Sequence, residues 1–459
     1  MVVRILLYTH EYPPVKAGAG NYVFELAKGL SALGEDVAVV APGYDGHGSG
    51  DANDRITVHR MRTWETAPPW CYRFFLAAFL KERPHMVVVA DRNAQEIVAR
   101  MPRRFFSYCT VLYGTEVWTY FDPQRSPFRP AESKLFERFF LGAEAILAIS
   151  DATARLLDSY LPQARPLISV VGAGIDPACF PAPSRERLEK LRAALTIGSQ
   201  NIVLCLARLD GDKGHDALVG AFRRVLEEAP DTVLLLVGDG PTRMDVEEIA
   251  KSSGVFEQVR FVGSVSDEER CDYYGLCDLF VMPSRCERRW EGFGLVFLEA
   301  NCYGKPVIGG AVGGVPEAIE DGVSGLLVNP LDETAIADAM LRLLKDRTLR
   351  EKLGAQGRRR LLAGYTSDEV ALKTLTVIRD RLCPDRSFRG VACKVRRGAN
   401  LGYWLVYAGF IVLLERLRWL RFTFLFRIAQ SVLPARCRRL LRALFELPLH
   451  GRHRHEDLR

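Results

Sequence analysis

Short apolar runs that alternate with helical patterns recur along most of the chain, and this alternation constrains the fold more than any other feature. One series of runs lies before residue 180, and a second begins after the polar connector at residues 181–200. Such alternation predicts βαβ units, whose parallel strands form a sheet that helices cover on both faces. The expected strands are residues 4–8, 37–41, 86–90, 109–113, 145–149 and 168–171 in the first series, and residues 202–207, 233–237, 260–262, 279–282 and 306–309 in the second.

Two series of this kind predict two Rossmann-like α/β domains, at residues 1–180 and 181–383, followed by a tail at residues 384–459. Ligands of such sheets bind beyond the carboxyl ends of the strands. The glycine-rich loops of both halves follow expected strands. We therefore expect the two domains to face each other across a cleft that holds the ligand.

Composition limits the class of protein. With 459 residues, of which 48% are hydrophobic, the chain has enough apolar surface for two cores and lacks the polar bias of a disordered protein. Its 11 cysteines include no C-x-x-C pair, so we expect reduced thiols. Met1 leads directly into an expected strand without a small-residue cleavage site, so no secretion signal is expected. These features favour a cytoplasmic protein.

Two carboxylates, Glu291 and Glu299, flank the entrance of an expected helix. If that helix begins near Gly292, a rise of 1.5 Å per residue separates the carboxylates by roughly 12 Å. The two carboxylates of a glycosidase lie about 5 to 10 Å apart across one bond, so the spacing argues against that chemistry. It fits one extended ligand held at both ends, with a diphosphate over the helix N-terminus. A sugar nucleotide has this shape.

The segment at residues 291–300 resembles the E-x7-E signature of retaining glycosyltransferases of the GT-B fold, in particular glycosyltransferase family 4. The resemblance runs from Arg4 to about Leu382. It implies that residues 1–180 bind the acceptor, and that residues 181–383 bind the nucleotide sugar and end in a helix that crosses back. The other motifs that carry it are Pro13-Pro14, Gly18 with Gly20, Gly174-Ile175-Asp176, Arg208 with Lys213-Gly214, Gly238-Asp239-Gly240-Pro241 and Gly313-Gly314-Val315-Pro316-Glu317.

The resemblance also implies roles for single residues. Glu291 would face the transferred sugar, and Glu299 would accept hydrogen bonds from the ribose hydroxyls. The glycines of the first domain would let the backbone approach the donor phosphates, and the start of the helix would supply N–H groups. The expected donor-binding residues are Gly18, Gly20, Phe293, Gly294, Leu295 and Glu299.

Arg208 and Lys213 flank a turn after the first strand of the second domain. Two cations that converge there can neutralise the charge of a departing nucleoside diphosphate, so no metal cofactor is expected. Solvated surface charges are the alternative. For Gly313-Gly314 and Glu317, a pocket-shaping loop and an ordinary strand-to-helix turn stay equally open.

The chain departs from the family pattern at Tyr113, where many members carry a histidine near the donor sugar. Tyrosine keeps a hydroxyl at similar reach, but it lacks a pKa near neutrality. Tyr113 is therefore retained as a candidate catalytic residue whose role in sugar positioning is open. His10, near the end of the first strand, is a further residue that could lie near the cleft.

The tail is strongly basic. Residues 384–459 contain 16 Lys or Arg and 5 Asp or Glu, a net charge of +11, whereas the whole chain has +6. On charge alone, membrane phosphates and nucleic acid both qualify as partners. The apolar run at residues 401–414 is shorter than the roughly 20 residues of a spanning helix, and arginines flank it.

Aromatic residues beside arginines are typical of segments that bind acidic lipid. We therefore expect a basic amphipathic tail that attaches the protein peripherally to the inner face of the plasma membrane, and no nucleic-acid partner. Trp404 is one of the residues expected to insert. A hairpin packed on the catalytic domains is the alternative.

Together, these features predict a retaining glycosyltransferase that moves a hexose from a nucleoside diphosphate sugar to a lipid or lipid-linked glycan. The segment at residues 283–291 looks most like bacterial mannosyltransferases that act on phosphoinositide or polyprenyl lipids. A sugar-nucleotide epimerase of the same fold is one alternative, although it should lack the E-x7-E segment with both cations. A catalytically silent family member that binds lipid or a partner protein is the other.

Overall fold

The structure is a computed structural model that describes residues 2–14, 18–43, 56–62, 66, 70–101, 104–128, 130–382, 400, 402–406 and 409 of the chain. Most of the basic tail therefore lies outside the described residues.

The first domain is built on a seven-stranded parallel sheet with the strand order β3-β2-β1-β4-β5-β6-β7. The central strands bury nearly every residue, because helices cover both faces of the sheet. The elements are β1 (Arg4–Tyr8), α1 (Gly18–Ala32), β2 (Asp36–Pro42), β3 (Thr57–Met61), α2 (Trp70–Glu82), β4 (Met86–Val89), α3 (Arg92–Ala99), β5 (Tyr108–Leu112), α4 (Thr115–Phe121), α5 (Pro130–Leu141), β6 (Ala145–Ala148), α6 (Asp151–Tyr160) and β7 (Ile168–Val170).

The second domain contains a six-stranded parallel sheet with the order β10-β9-β8-β11-β12-β13. Strands β8 and β11 are parallel neighbours in this sheet. The loops that follow them therefore leave the sheet side by side at its carboxyl edge. The elements are α7 (Arg185–Ala194), β8 (Asn201–Leu206), α8 (His215–Glu228), β9 (Thr232–Val237), α9 (Arg243–Ser252), β10 (Val259–Gly263), α10 (Asp267–Leu276), β11 (Leu279–Met282), α11 (Leu295–Cys302), β12 (Val307–Gly310), α12 (Val315–Ala318), β13 (Gly325–Val328), α13 (Glu333–Lys345), α14 (Arg347–Gly364) and α15 (Ser367–Leu382). The prediction of two Rossmann-like domains is confirmed.

The last helix of the second half, α15, returns to the first domain. Its Ala371 packs against α1 at Gly29, where an added Cβ would lie 2.6 Å from the Ala371 methyl group. The chain crosses over beside Ile175, whose N–H donates to the Tyr365 carbonyl at 3.1 Å and whose carbonyl accepts from Ser367 at 2.9 Å. The Gly174-Ile175-Asp176 motif therefore anchors the crossing.

Some sequence-based boundaries were wrong. Strands β3 and β13 were missed. Both lie at an edge of their sheet, where β3 has a mixed polar pattern and β13 has only three apolar residues after Gly325. Helix α1 begins at Gly18 rather than near Tyr22, so Gly18 and Gly20 lie in its first turn and not in a preceding loop. Helix α11 begins at Leu295, which leaves Glu291 in the extended segment before the helix.

The second compact unit of the chain, residues 391–459, is described only at a few positions. Residues 402–406 are helical. Trp404 is only 1% exposed, which contradicts its expected role as a membrane-inserting side chain, whereas Leu405 and Val406 are 48% and 75% exposed. Among the described helices of the whole chain, none is both long enough and apolar enough to cross a bilayer.

Candidate active site between the two sheets

The carboxyl ends of the two sheets face each other. Gly292, which follows β11, lies against the segment after β5, and an added Cβ there would be 2.5 Å from the Tyr113 carbonyl oxygen. The carboxylate of Glu317 accepts hydrogen bonds from the N–H groups of Asp151 and Ala152 at 2.7 and 2.8 Å. Glu317 therefore caps helix α6 of the first domain.

Glu291 lies in the loop between β11 and α11. Its backbone packs against Gly313 and Gly314, which follow β12. The N–H of Gly314 donates to the Glu291 carbonyl at 2.9 Å. Gly313 has a φ of +54°, and a Cβ at this position would overlap the same carbonyl. The two glycines thus shape the site through close backbone packing.

Lys213 and Glu291 form the central ion pair of the site. Lys213 is the last residue of a 3-10 turn, Gly211–Lys213, that follows β8. Its Nζ lies 2.6 Å from Oε2 of Glu291, and both side chains are largely buried. Burial lowers the pKa of Lys213, but the Glu291 carboxylate outweighs this effect and raises the pKa above its ordinary value. The lysine is therefore a fixed positive charge at neutral pH.

The loops that carry these two residues are locked together. The Asp212 carboxylate accepts hydrogen bonds from the N–H groups of Glu287 and Arg288 at 3.3 and 2.9 Å. Gly214 has a φ of +73°, and an added Cβ would overlap the Pro283 carbonyl. A side chain at that position would push the two loops apart. The close packing of the loops therefore requires the glycine of the Lys-Gly motif.

Arg208 lies on the exposed end of the same loop. Its neighbour Leu209 donates to the Asp239 carbonyl at 3.1 Å, and Gly240 packs so closely on Leu209 that a Cβ would overlap its carbonyl. Within the part of the chain that the structure describes, the Arg208 guanidinium has no hydrogen bond or ion pair with another side chain. It is therefore available to an anionic ligand.

Helix α11 begins four residues after Glu291, the partner of Lys213. Gly294 precedes the helix with a φ of +89° and provides no side-chain cap. The first N–H groups of a helix have no intrahelical acceptor, so those of Leu295 and the next residue can bind an anion. Phe293 is buried, and its ring packs 5.8 Å from that of Tyr365, so only its backbone can contribute to ligand binding.

Glu299 lies inside α11, where helix α10 supplies two partners that the sequence analysis missed. The Tyr274 hydroxyl donates to Oε2 at 2.8 Å, and Arg270 lies 3.4 Å from Oε1. Burial raises the pKa of Glu299, and both partners oppose this effect. Tyr274 and Arg270 together fix the orientation of the Glu299 carboxylate. Arg270 and Tyr274 are four residues apart on one helix, a spacing that could have indicated a shared face.

The Tyr113 hydroxyl forms a hydrogen bond within the first domain. The hydroxyl donates to the Ala90 carbonyl at 2.9 Å, and the ring meets Tyr22 edge-on at 5.7 Å. Burial raises the pKa of Tyr113 well above its ordinary value, so the phenol is not an acid or base near neutral pH. Burial lowers the pKa of His10, whose ring packs edge-on to Tyr8 at 5.4 Å.

The two glycines of the first domain differ in their surroundings. A Cβ at Gly18 would meet no atom within 4 Å, whereas Gly20 is buried in the first turn of α1. Open space at Gly18 is compatible with a ligand.

Among the described residues, only one group of side chains has the spacing of metal ligands. It consists of Glu25, Asp176 and Cys179. The Lys28 ammonium lies 3.5 Å from Glu25 and 3.1 Å from Asp176, so it already supplies a cation to both carboxylates. This arrangement is that of an ion-pair cluster.

Sequence comparison agrees with this geometry. Residues 17–178 match Glycosyltransferase Family 4, and residues 188–360 match Glycosyl transferases group 1. The chain belongs to the GT-B glycosyltransferases. This glycosyltransferase is a nucleotide-sugar-dependent enzyme, as its named relatives are.

One relative of the glycosyltransferase is the GDP-mannose-dependent alpha-(1-6)-phosphatidylinositol monomannoside mannosyltransferase of Mycobacterium tuberculosis. It is 29% identical over 390 residues, which cover 82% of this chain and 98% of the relative. Sucrose-phosphate synthase of Thermosynechococcus elongatus has a TM-score of 0.69 at 23% identity, over 82% of this chain and 98% of that one. Anabaena HepE in complex with UDP and glucose has a TM-score of 0.65 at 18% identity, over 82% and 100% of the chains. The solved structures establish the GT-B fold.

Proposed function

We propose that this glycosyltransferase transfers mannose from GDP-mannose to a phosphatidylinositol-type lipid, with retention of the anomeric configuration. The observation that carries the proposal is the contact between Lys213 and Glu291 beside the free N–H groups of α11. The mannosyltransferase relative, which matches this chain over nearly its own full length, supports the choice of donor and acceptor.

The donor diphosphate would lie over the N-terminus of α11, between Arg208 and Lys213. Preorganised cations at the position where negative charge develops lower the barrier to departure of the leaving group. As the bond from the anomeric carbon to the diphosphate oxygen breaks, its electron pair goes to that oxygen. The acceptor hydroxyl attacks the same face of the sugar and passes its proton to the departing diphosphate.

Glu291 would hold the hydroxyls of the transferred sugar, since its carboxylate lies next to the cations that bind the diphosphate. Its pairing with Lys213 fixes the carboxylate and leaves its second oxygen for a hydroxyl donor. No divalent metal is needed in this scheme, because the two side-chain cations carry the positive charge. At the other end of the donor, Glu299 would accept from the ribose hydroxyls.

A lipid acceptor requires access to a membrane surface. The net charge of +11 in residues 384–459 would attract an acidic leaflet, and the exposed Leu405 and Val406 offer apolar surface beside it. We propose peripheral attachment to the inner face of the plasma membrane through this tail.

The donor can be tested with purified full-length protein and a panel of GDP-mannose, UDP-glucose, UDP-N-acetylglucosamine and ADP-glucose. We expect GDP release from GDP-mannose in the presence of vesicles that contain phosphatidylinositol mannoside. Vesicles of phosphatidylcholine alone are the control. Release of another nucleotide, with no activity on GDP-mannose, would contradict the proposed donor.

Analysis of the lipid product is needed to identify the acceptor and the stereochemistry of transfer. Mass spectrometry of the extracted lipid should show the addition of one hexose, and NMR of its anomeric proton should show the α configuration that GDP-mannose carries. Equal release of GDP with vesicles of phosphatidylcholine, which has no acceptor hydroxyl, would argue against phosphoinositide recognition. A β-linked product would contradict retention.

A further inference from the structure

Trp290 directly precedes Glu291, and a side chain of the first domain holds its backbone. Oγ1 of Thr115, at the start of α4, accepts a hydrogen bond from the Trp290 N–H at 3.1 Å and donates one to the Trp290 carbonyl at 3.3 Å. One hydroxyl can do both, because it is a donor and an acceptor at once. The residue next to the sugar-facing carboxylate is thus fixed by the opposite domain.

The indole ring of Trp290 is held by the same helix. Its edge meets the Trp118 ring at 5.3 Å, and the Arg125 guanidinium covers Trp118 at 4.2 Å. Gly114 has a φ of +110°, and a Cβ there would overlap the Trp290 ring. Within the described part of the chain, the Trp290 Nε1 has no hydrogen-bond partner, so the ring contributes shape and not a polar contact.

The second domain holds Glu291 from its other side. The Glu291 N–H donates to Sγ of Cys286 at 3.4 Å, its carbonyl accepts from Gly314 at 2.9 Å, and its carboxylate binds Lys213 at 2.6 Å. These contacts constrain the residue within its own loop. The bonds from Thr115 to Trp290 tie that loop to helix α4 across the cleft, and Arg125 of the first domain also donates to the Glu287 carbonyl of the loop at 3.1 Å.

We propose that Thr115 and Trp290 are positioning residues, through which the acceptor domain sets the place of the Glu291 carboxylate. The inference rests on the proposed role of Glu291 at the donor sugar. It does not depend on which sugar or acceptor is used. In a catalytic site, displacement of a reacting group by about 1 Å can cost 100-fold in rate, so loss of this hold should lower turnover more than binding.

The decisive comparison is Thr115→Val against Thr115→Ser, measured with whichever donor the nucleotide-sugar panel identifies. Valine removes both bonds at nearly constant volume, whereas serine keeps the hydroxyl. We expect Thr115→Val to lower kcat by about 10- to 100-fold while the Kd for the nucleoside diphosphate stays within about twofold. Thr115→Ser should restore most of the rate. Thr119→Val is the matched control, because among the described residues the Thr119 hydroxyl bonds only to its own helix, at the Thr115 carbonyl.

A second variant tests the ring and covers the case in which Thr115→Val fails to fold. Trp290→Phe keeps an aromatic ring that can meet Trp118, and it should retain more activity than Trp290→Ala. Both should bind nucleoside diphosphate like the wild type. Equal kcat values for Trp290→Ala and the wild type would overturn the inference.

Other outcomes separate this inference from the proposed catalytic site. If Thr115→Val turns over like Thr119→Val, or if its nucleotide affinity falls in parallel with kcat, Thr115 is a structural residue and the inference is wrong. If Glu291→Gln itself retains full transfer, the role of Glu291 fails, and the inference fails with it. A wild-type rate for Thr115→Val in an enzyme that Glu291→Gln inactivates overturns only the positioning role.

Discussion

The ammonium of Lys213 lies 2.6 Å from the carboxylate of Glu291, although 78 positions separate the two residues in the chain. The contact exists because β8 and β11 are neighbours in the second sheet, so the loops after both strands leave the same edge. Each partner is largely buried, and removal of one leaves an uncompensated charge on the other. The two motifs therefore act as one unit.

Replacement of Glu291 should separate catalysis from nucleotide binding. We expect Glu291→Ala to lower kcat by at least about 100-fold, because a preorganised polar contact to the reacting group is lost. The affinity for nucleoside diphosphate, measured by calorimetry, should stay close to that of the wild type, since the carboxylate addresses the sugar. Glu287→Gln is the control, because this exposed carboxylate lies on the same loop.

The same ion pair predicts strong non-additivity. Because Lys213 and Glu291 act together, the double variant Lys213→Ala/Glu291→Ala should be hardly slower than the worse of the two single variants. Steady-state kinetics of the wild type, the two single variants and the double variant would measure this non-additivity. Effects that multiply in the double variant would mean that the two side chains act independently.

Glu299 should matter mainly for the nucleotide. Loss of hydrogen bonds to the ribose in Glu299→Ala should weaken nucleoside diphosphate binding by about 1 to 3 kcal/mol. Tyr274→Phe removes one bond that orients the carboxylate and should have a smaller effect in the same direction. Equal dissociation constants for the wild type and Glu299→Ala would rule out the ribose assignment.

The predictability of this site differs from one feature to the next. Strands with continuous apolar runs, such as β4 and β11, could be located from sequence because both of their faces are buried. Edge strand β3 could not, since only part of its surface meets the core. Glu291 and Lys213 were each singled out by their motifs. Their contact could not be derived, because one sequence does not give the order of strands in a sheet.

Contacts across the cleft were the least predictable part. Trp290 carries no signal of its own, since an aromatic residue in a loop is compatible with many environments. The motif that contains Glu317 did not indicate that its carboxylate caps a helix of the other domain. Their roles arise from helices α4 and α6 of the other domain, more than 100 positions away in the chain. Only the facing of the two sheets brings these segments together.

Activity should not depend on a divalent metal. The raised pKa of Lys213 keeps its ammonium charged at neutral pH, and the Arg208 guanidinium supplies a second cation. We expect full turnover in excess EDTA, whereas Lys213→Ala should lower the rate by orders of magnitude. Loss of activity in the chelator, followed by recovery with magnesium or manganese, would contradict this proposal.

Glu116 should make stability depend on pH. It is buried in the first turn of α4, and burial raises its pKa from 4.5 to about 7. Since the folded state holds the proton more tightly than the unfolded state, the contribution of this group is complete below pH 4.5 and is lost as the pH rises towards 7. The loss should amount to up to about 3 kcal/mol.

Glu116→Gln removes the titration and keeps an oxygen that can accept the Tyr113 N–H. The difference in thermal midpoint between wild type and variant should therefore change between pH 5 and pH 8, with the wild type losing stability relative to the variant. Parallel curves over this range would show that Glu116 does not titrate as its burial predicts.

The tail should attach the enzyme to acidic membranes. Each Lys or Arg near an anionic leaflet contributes about 1 kcal/mol, and residues 384–459 have a net charge of +11. We expect full-length protein to sediment with vesicles rich in acidic lipid. High salt should weaken the attachment without removing it, because the exposed side chains of Leu405 and Val406 offer apolar area that salt does not screen.

Truncation after Leu382 removes this charge and ends the chain with helix α15 intact. The truncated enzyme should stay in the supernatant and still release nucleoside diphosphate from its donor, but it should act poorly on a lipid acceptor in vesicles. Full-length protein with Arg416, Arg418 and Arg421 changed to Gln is the matched control, since it lowers the charge and keeps the chain. If the wild type ignores acidic vesicles at low salt, the tail does not bind membranes. If the truncated form loses donor turnover as well, the tail supports the catalytic domains instead.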